Sequence, residues 1–197
     1  MKKAIVPLIF LVAAAGLPAF QMTTQDMSQY DSLKEPRITT LPPLKVVVVE
    51  AKGDPNVVGQ QAFSELFKVF FSMPGARMSP PRARWLITDT ASKDEWVGFY
   101  ALPIPNQVTN LPPGSGSSRI EVWSYGEVAE ILHVGSYGEE TPTIDTLTRF
   151  IDGQGYVIAG PHEEEYLRGP ESGPDASRYR TIIRYQVKKK GLPAKGE

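Results

Sequence analysis

Five consecutive residues, His162, Glu163, Glu164, Glu165 and Tyr166, follow Gly160-Pro161 and concentrate acid, imidazole and phenol groups. Residues two apart on a strand share a face, so Glu164 stands with His162 and Tyr166 and away from its two acidic neighbours. A carboxylate withdrawn from water is costly unless a cation or hydrogen bonds compensate it. A cationic aromatic ligand could supply both. Stacking over Tyr or Trp contributes roughly 0.5–2 kcal/mol per contact, and a charge-assisted hydrogen bond about 1.5–3 kcal/mol. Tyr137, Trp123 and Trp96 are the further candidate walls. Tyr137 follows Gly135-Ser136 and either faces a groove or packs at a sheet edge. Trp123 precedes Gly126, a place for a bend or bulge, and Trp96 reads as core before ligand wall. The competing reading makes the three glutamates a solvated strand end, since runs of charge are usually exposed.

Other chemistries find little support. The chain has no cysteine, which excludes disulfides, thiolate metal sites and a cysteine nucleophile. His133 and His162 are the only histidines, and no H-E-x-x-H spacing is present. His162 with Glu164 could touch a metal, but two ligands do not make a site; His133, within an apolar strand, reads as a hydrogen-bonded structural residue. The GSGSS run lies in a loop rather than between strand and helix, so it is not a phosphate cradle. No G-x-S-x-G nucleophile elbow occurs. With 21 basic and 22 acidic residues there is no global field for nucleic acid. No cofactor is expected. The expected partner is a small hydrophobic or cationic molecule, not nucleic acid, and no protein partner is specified.

The elements that must position these groups come in two copies. Laid without gaps over Arg119–Ser136, the segment Arg37–Asp54 matches Arg37 to Arg119, Ile38 to Ile120, Val46 to Val128 and Gly53 to Gly135. The β-branched run Val46–Val49 reads as a buried strand. Asp54-Pro55 and Thr141-Pro142 then each start a helix with a cap residue and proline. The first carries Val58, Ala62, Leu66, Val69 and Phe70 on one face and stops at Met73-Pro74-Gly75; the second carries Ile144, Leu147, Phe150 and Ile151 and stops at Asp152-Gly153. Two strands follow each helix, expected over 84–90 and 95–103 and over 156–167 and 178–188. The class is α+β: tandem βαββ halves, 37–104 and 119–188, joined by the turn-rich loop 105–118. Ahead of them, residues 1–19 read as a signal peptide and 20–36 as a polar tether; 189–197 form a basic, solvated tail. Export to the periplasm or outside is expected, with an N-terminal membrane anchor as the alternative if the apolar segment stays uncleaved.

The segment VAEILHVGSY, a helix ending FIDGQGYVIAGP, and HEEEY on the next strand together resemble the GyrI-like small-molecule-binding domain, which also serves as the effector-binding domain of multidrug-responsive and AraC-type regulators. The resemblance covers roughly 37–188. It implies a pseudo-twofold pair of βαββ units in one antiparallel sheet, both helices on one side, and a groove between the halves for amphipathic, often cationic aromatic compounds. It also implies an acidic pocket residue in the E-x-Y pattern, which the spacing to Tyr166 assigns to Glu164. No helix-turn-helix precedes the domain here, so a regulator's role does not carry over. Some relatives are hydrolases that open strained cyclopropane rings, which would make Glu164 a general base and Tyr166 a hydrogen-bond donor. The RIEVWSYGEVAE stretch is also similar to strands of the haem-binding SOUL family, which would put His162 near a tetrapyrrole. Membrane-anchored eukaryotic relatives suggest a ligand-free, partner-recruiting role.

Overall fold

The fold is taken from a computed structural model that describes residues 27–86 and 92–191. The expected signal peptide, the tether as far as residue 26, the tail beyond 191 and residues 87–91, with the end of the strand expected over 84–90, lie outside the described residues. No helix among the described residues is long and apolar enough to cross a membrane.

Each copy of the repeat begins with two strands where the sequence predicts one. Pro42-Pro43 divides β1 (Arg37–Leu41) from β2 (Leu44–Lys52), and Ser124-Tyr125 divides β5 (Arg119–Trp123) from β6 (Gly126–Val134). A single offset of 82 relates all four boundaries, the offset of the gapless alignment. Gly53 and Gly135, which close β2 and β6, take φ values of 136° and 135°, a region that side chains other than glycine's rarely enter. The remaining elements are α1 (Pro55–Ser72), β3 (Arg82–Leu86), β4 (Val97–Pro103), α2 (Thr141–Gly153), β7 (Tyr156–Arg168) and β8 (Arg180–Lys189).

All eight strands form one antiparallel sheet in the order β1-β6-β8-β7-β3-β4-β2-β5. Exchanging the two halves reproduces this order read backwards, so a pseudo-twofold axis runs between β3 and β7, where Ala83 pairs with Glu164. The first strand of each half crosses to the other half: β1 edges β6, and β5 edges β2.

Both helices cover the same face. Helix α1 packs on β2 and β4, burying Ala62, Phe63, Leu66, Val69 and Phe70 against Val47, Val49, Tyr100 and Leu102. Helix α2 packs on β6 and β7, burying Leu147 and Ile151 with Ala129, Ile131, Ile183 and Tyr185. The loop 105–118 lies along α1, where Ser117 donates its N–H and hydroxyl to Glu65, each at 2.9 Å. Ser28–Leu33, within the expected tether, forms a 3-10 helix, and Leu33 is buried against Leu132, Leu167 and Ile182.

The opposite face carries a row of alternating charge across five adjacent strands. Arg37, Glu130, Arg184, Glu163 and Arg84 are successive cross-strand partners. Arg184 donates to both Glu130 and Glu163 at 2.9 Å, and Arg84 donates to Glu163 at 2.7 Å. Glu165 pairs with Arg82 at 2.8 Å and Arg184 at 3.2 Å. The solvated-strand-end reading therefore fails: all three glutamates are buried, two of them inside this network. Burial opposes ionisation of Glu163, but the Arg184, Arg84 and Arg82 guanidinium groups outweigh it and hold its carboxyl below the usual range.

Candidate functional site

The irregularity in β7 at Ala159-Gly160-Pro161 sets which side chains face the helices. Pairing with β8 shifts between Ile158 and His162. Gly160 sits so close to Gln186 that a side chain there would clash with it. Beyond this point His162, Glu164 and Tyr166 face the helices, while Glu163 and Glu165 face the arginines.

Glu164 lies beside the pseudo-twofold axis and is 3 % exposed. The opposite strand places only Ala83 against it. Tyr166 donates its hydroxyl to Glu164 at 2.7 Å, and His162 Nε2 lies 2.9 Å from the other carboxylate oxygen. His162 is fixed in turn by Tyr185 Oη, 2.8 Å from its Nδ1. Burial works against a charge on Glu164, yet the hydrogen bond and charge of His162 and the bond from Tyr166 outweigh it and lower its pKa.

A second carboxyl joins it from the other side. Glu140 occupies the cap position before α2 without making a capping hydrogen bond, and it is wholly buried. It lies beside Glu164 within hydrogen-bonding range, so that a proton on Glu140 is shared between the two carboxyls. Burial first, then the negative charge of Glu164, push the Glu140 carboxyl well above its ordinary pKa. The site thus holds one carboxylate and one carboxylic acid. Among the described residues neither pairs with a lysine or arginine, in contrast to the neutralised glutamates on the other face.

Phenols and one phenylalanine fill the seam around the pair. Tyr137 packs edge-on to Tyr166 with centroids 5.6 Å apart and lies 5.7 Å from Tyr179. Phe63 of α1 packs edge-on to Tyr166 at 6.1 Å and to Tyr100 at 4.9 Å, tying the first half to the site. Burial pushes the Tyr100, Tyr137, Tyr166 and Tyr185 hydroxyls up, and the charge of Glu164 adds to it in each case. These phenols therefore keep their protons and can donate.

The structure brings Glu164, Tyr166, His162 and Tyr137 together and leaves the two tryptophans elsewhere. Trp123 is on the other face, its ring beneath the Arg84 guanidinium at 3.9 Å and its Nε1–H donated to Glu121 at 2.9 Å. Its position in the row with Leu44, Val46 and Val48 fixes that orientation. Trp96 is buried just ahead of β4, four residues before Tyr100, where its carbonyl accepts from the Gly53 N–H at 2.9 Å. Trp85, which packs edge-on to Tyr100 at 5.4 Å, is the tryptophan nearest the site. Both ring nitrogens of His162 are engaged, so haem ligation would have to break one of those bonds. His133 is buried and held by Thr143 and Ser136, as its place in an apolar strand suggests. An open depression of about 480 Å³ lined by Gly75, Arg77, Ser79, Pro103, Pro105 and Gln107 holds no carboxylate or aromatic group and is not the site.

Sequence reasoning missed Glu140, Tyr100 and Tyr185. A signal for Glu140 exists. Between the matched glycine and its helix the first copy has only Asp54, whereas the second inserts Ser136-Tyr137-Gly138-Glu139-Glu140. That asymmetry supplies both Tyr137 and Glu140. Tyr100 and Tyr185 need the strand register, which no local pattern gives.

No curated protein sequence matches the chain. Among solved structures it is similar to a hydrolase from Listeria innocua, with TM-score 0.67 and 18 % identity over 83 % of this chain and 96 % of that one. It is also similar to the EcmrR C-terminal domain, with TM-score 0.66 and 16 % identity over 79 % and 98 % of the respective chains. A third, SAV2435 bound to tetraphenylphosphonium, has TM-score 0.51 and 14 % identity over 78 % and 94 %. At these identities the likeness is one of fold. The family model for the GyrI-like small molecule binding domain matches residues 34–188, most of the chain, and this protein belongs to that family.

Proposed function

We propose that the seam between the halves binds an amphipathic, cationic aromatic molecule with Glu164 as counter-charge. The observation that carries this reading is a buried carboxylate at the centre of the sheet, ringed by phenols and without a lysine or arginine partner among the described residues. Only His162 and the Tyr166 hydroxyl compensate this charge against burial, and a ligand cation would add to that compensation. A fold neighbour bound to tetraphenylphosphonium supports the ligand class. Because Tyr137 and Tyr166 fill the seam, a ligand must turn these rings aside and replace their contacts with its own. Cation–π contacts of roughly 0.5–2 kcal/mol and a charge-assisted bond of about 1.5–3 kcal/mol then support micromolar binding. Titration of tetraphenylphosphonium against tryptophan fluorescence should give saturable quenching through Trp85. In Glu164→Gln the affinity should fall at least about tenfold, near 1.4 kcal/mol; an unchanged affinity would sink the role assigned to Glu164.

A hydrolase is the second reading. It is favoured by two adjacent carboxyls whose environments push their pKa values apart, the arrangement that acid–base chemistry uses, and by a hydrolase among the fold neighbours. Glu164 would then act as base on water, with Tyr166 orienting it. Catalytic turnover of a strained cyclopropane electrophile, rather than stoichiometric capture, distinguishes it. Export rests on the apolar N-terminal sequence alone, and N-terminal sequencing of the mature protein tests it.

A further inference from the structure

We infer that the site selects protic cations, such as aryl amidines or protonated aryl amines, over quaternary ones, with Glu140 as the second anchor. The inference rests on the cation-binding reading above and adds the chemistry of the charged head. Two carboxyls face one buried place, and beyond the proton it shares with Glu164 the Glu140 carboxyl lacks a hydrogen-bond partner among the described residues. The hydroxyl of Tyr100, fully buried on the same face, lacks one too. Buried polar groups are ordinarily satisfied, so this unmet capacity marks where a ligand's hydrogen bonds would go. An amidinium carries parallel N–H donors that can reach one carboxylate while its charge lies between two. A phosphonium has no N–H, so it can use the Glu164 charge but leaves Glu140 as it found it.

The groups that act on Glu140 come from every element around it. Glu164 and Tyr166 stand on β7, with His162 bonded to Glu164; Tyr137 is on the preceding turn and Tyr185 on β8. Tyr100 on β4 feels Glu164 and Asp54, and Glu171 acts on Tyr137. Of these only Glu164 contributes a negative charge beside Glu140. In the free protein Glu140 keeps its proton. An amidinium placed between the carboxyls reverses the local charge balance, so Glu140 ionises and its proton passes to the buffer.

The test is calorimetric titration of the full chain with benzamidine and with tetraphenylphosphonium, repeated in buffers of different ionisation heat. Wild type should release about one proton with benzamidine and none with tetraphenylphosphonium. Glu140→Gln should weaken benzamidine at least about tenfold and abolish proton release, while changing tetraphenylphosphonium less than about threefold. Glu140→Asp, which keeps the charge and shortens its reach, should show a smaller loss confined to benzamidine. Equal weakening of both ligands, or of neither, overturns the inference. So does wild type that binds tetraphenylphosphonium but not benzamidine. Failure of wild type to bind either cation, or indifference of both to Glu164→Gln, overturns the underlying reading as well.

Discussion

Glu140 and Glu164 share one buried place and titrate in opposite directions: burial and the Glu164 charge raise Glu140, while the His162 and Tyr166 hydrogen bonds lower Glu164. Their effects on stability therefore have opposite signs. Glu140 is raised, so its contribution is complete below the unfolded carboxyl range and is lost as pH climbs toward its folded value. Glu164 and Glu163 are lowered, so theirs are present above that range and are lost on acidification. Replacing Glu140 by the neutral isostere Gln should flatten the alkaline side alone. In chemical denaturation the variant should gain on wild type as pH rises above the ordinary carboxyl range, and the acid limb should stay in place. A gain confined to the acid limb would contradict this assignment.

Strand β7 serves both faces of the sheet at once. After its irregularity at Gly160-Pro161, odd-numbered glutamates enter the arginine row while Glu164 enters the seam. The row is not uniform in strength. Arg184 is 4 % exposed and contacts three glutamates, whereas the Arg37 side chain is 46 % exposed and contacts Glu130 alone among the described acidic residues. Arg184→Met strands three buried carboxylates with too little compensation and should cost about 3–5 kcal/mol. Arg37→Ala removes a half-exposed partner and should cost less than about 1 kcal/mol. Urea midpoints of the two variants check the ranking, and equal costs would show that burial does not govern this row.

At the scale of the whole molecule, each half holds the other by its first strand. With β1 on β6 and β5 on β2, neither half contains its own sheet edge. Phe63 of the first half also packs on Tyr166 of the second, beside the site. Unfolding should thus be one cooperative transition, with far-UV circular dichroism and tryptophan fluorescence coinciding. Residues 27–104 produced alone should stay unfolded, since β2 and β3 lose partners and β1 has none. A folded isolated half would refute this interdependence. The site is a consequence of the same arrangement: the axis that joins the halves passes beside Glu164, and side chains from both halves close over it.

Much of this was already legible in the chain. Helical spacing and the proline–glycine stops place both helices nearly to the residue, because those signals are local backbone constraints. The gapless match of Arg37–Asp54 to Arg119–Ser136 locates equivalent strands through their alternating faces and terminal glycines. Two-residue periodicity alone puts Glu164 with His162 and Tyr166. Partners distant in sequence were decided by tertiary structure. Strand pairing sent Trp123 to the arginine face and brought Tyr100 and Tyr185 to the seam, while Trp96 stays ahead of β4. It also buried a glutamate run that composition alone would leave in water. Neutralising Glu163 takes arginines from β3 and β8, and giving Glu164 a second carboxyl takes a turn some twenty residues upstream; only the folded sheet assembles them.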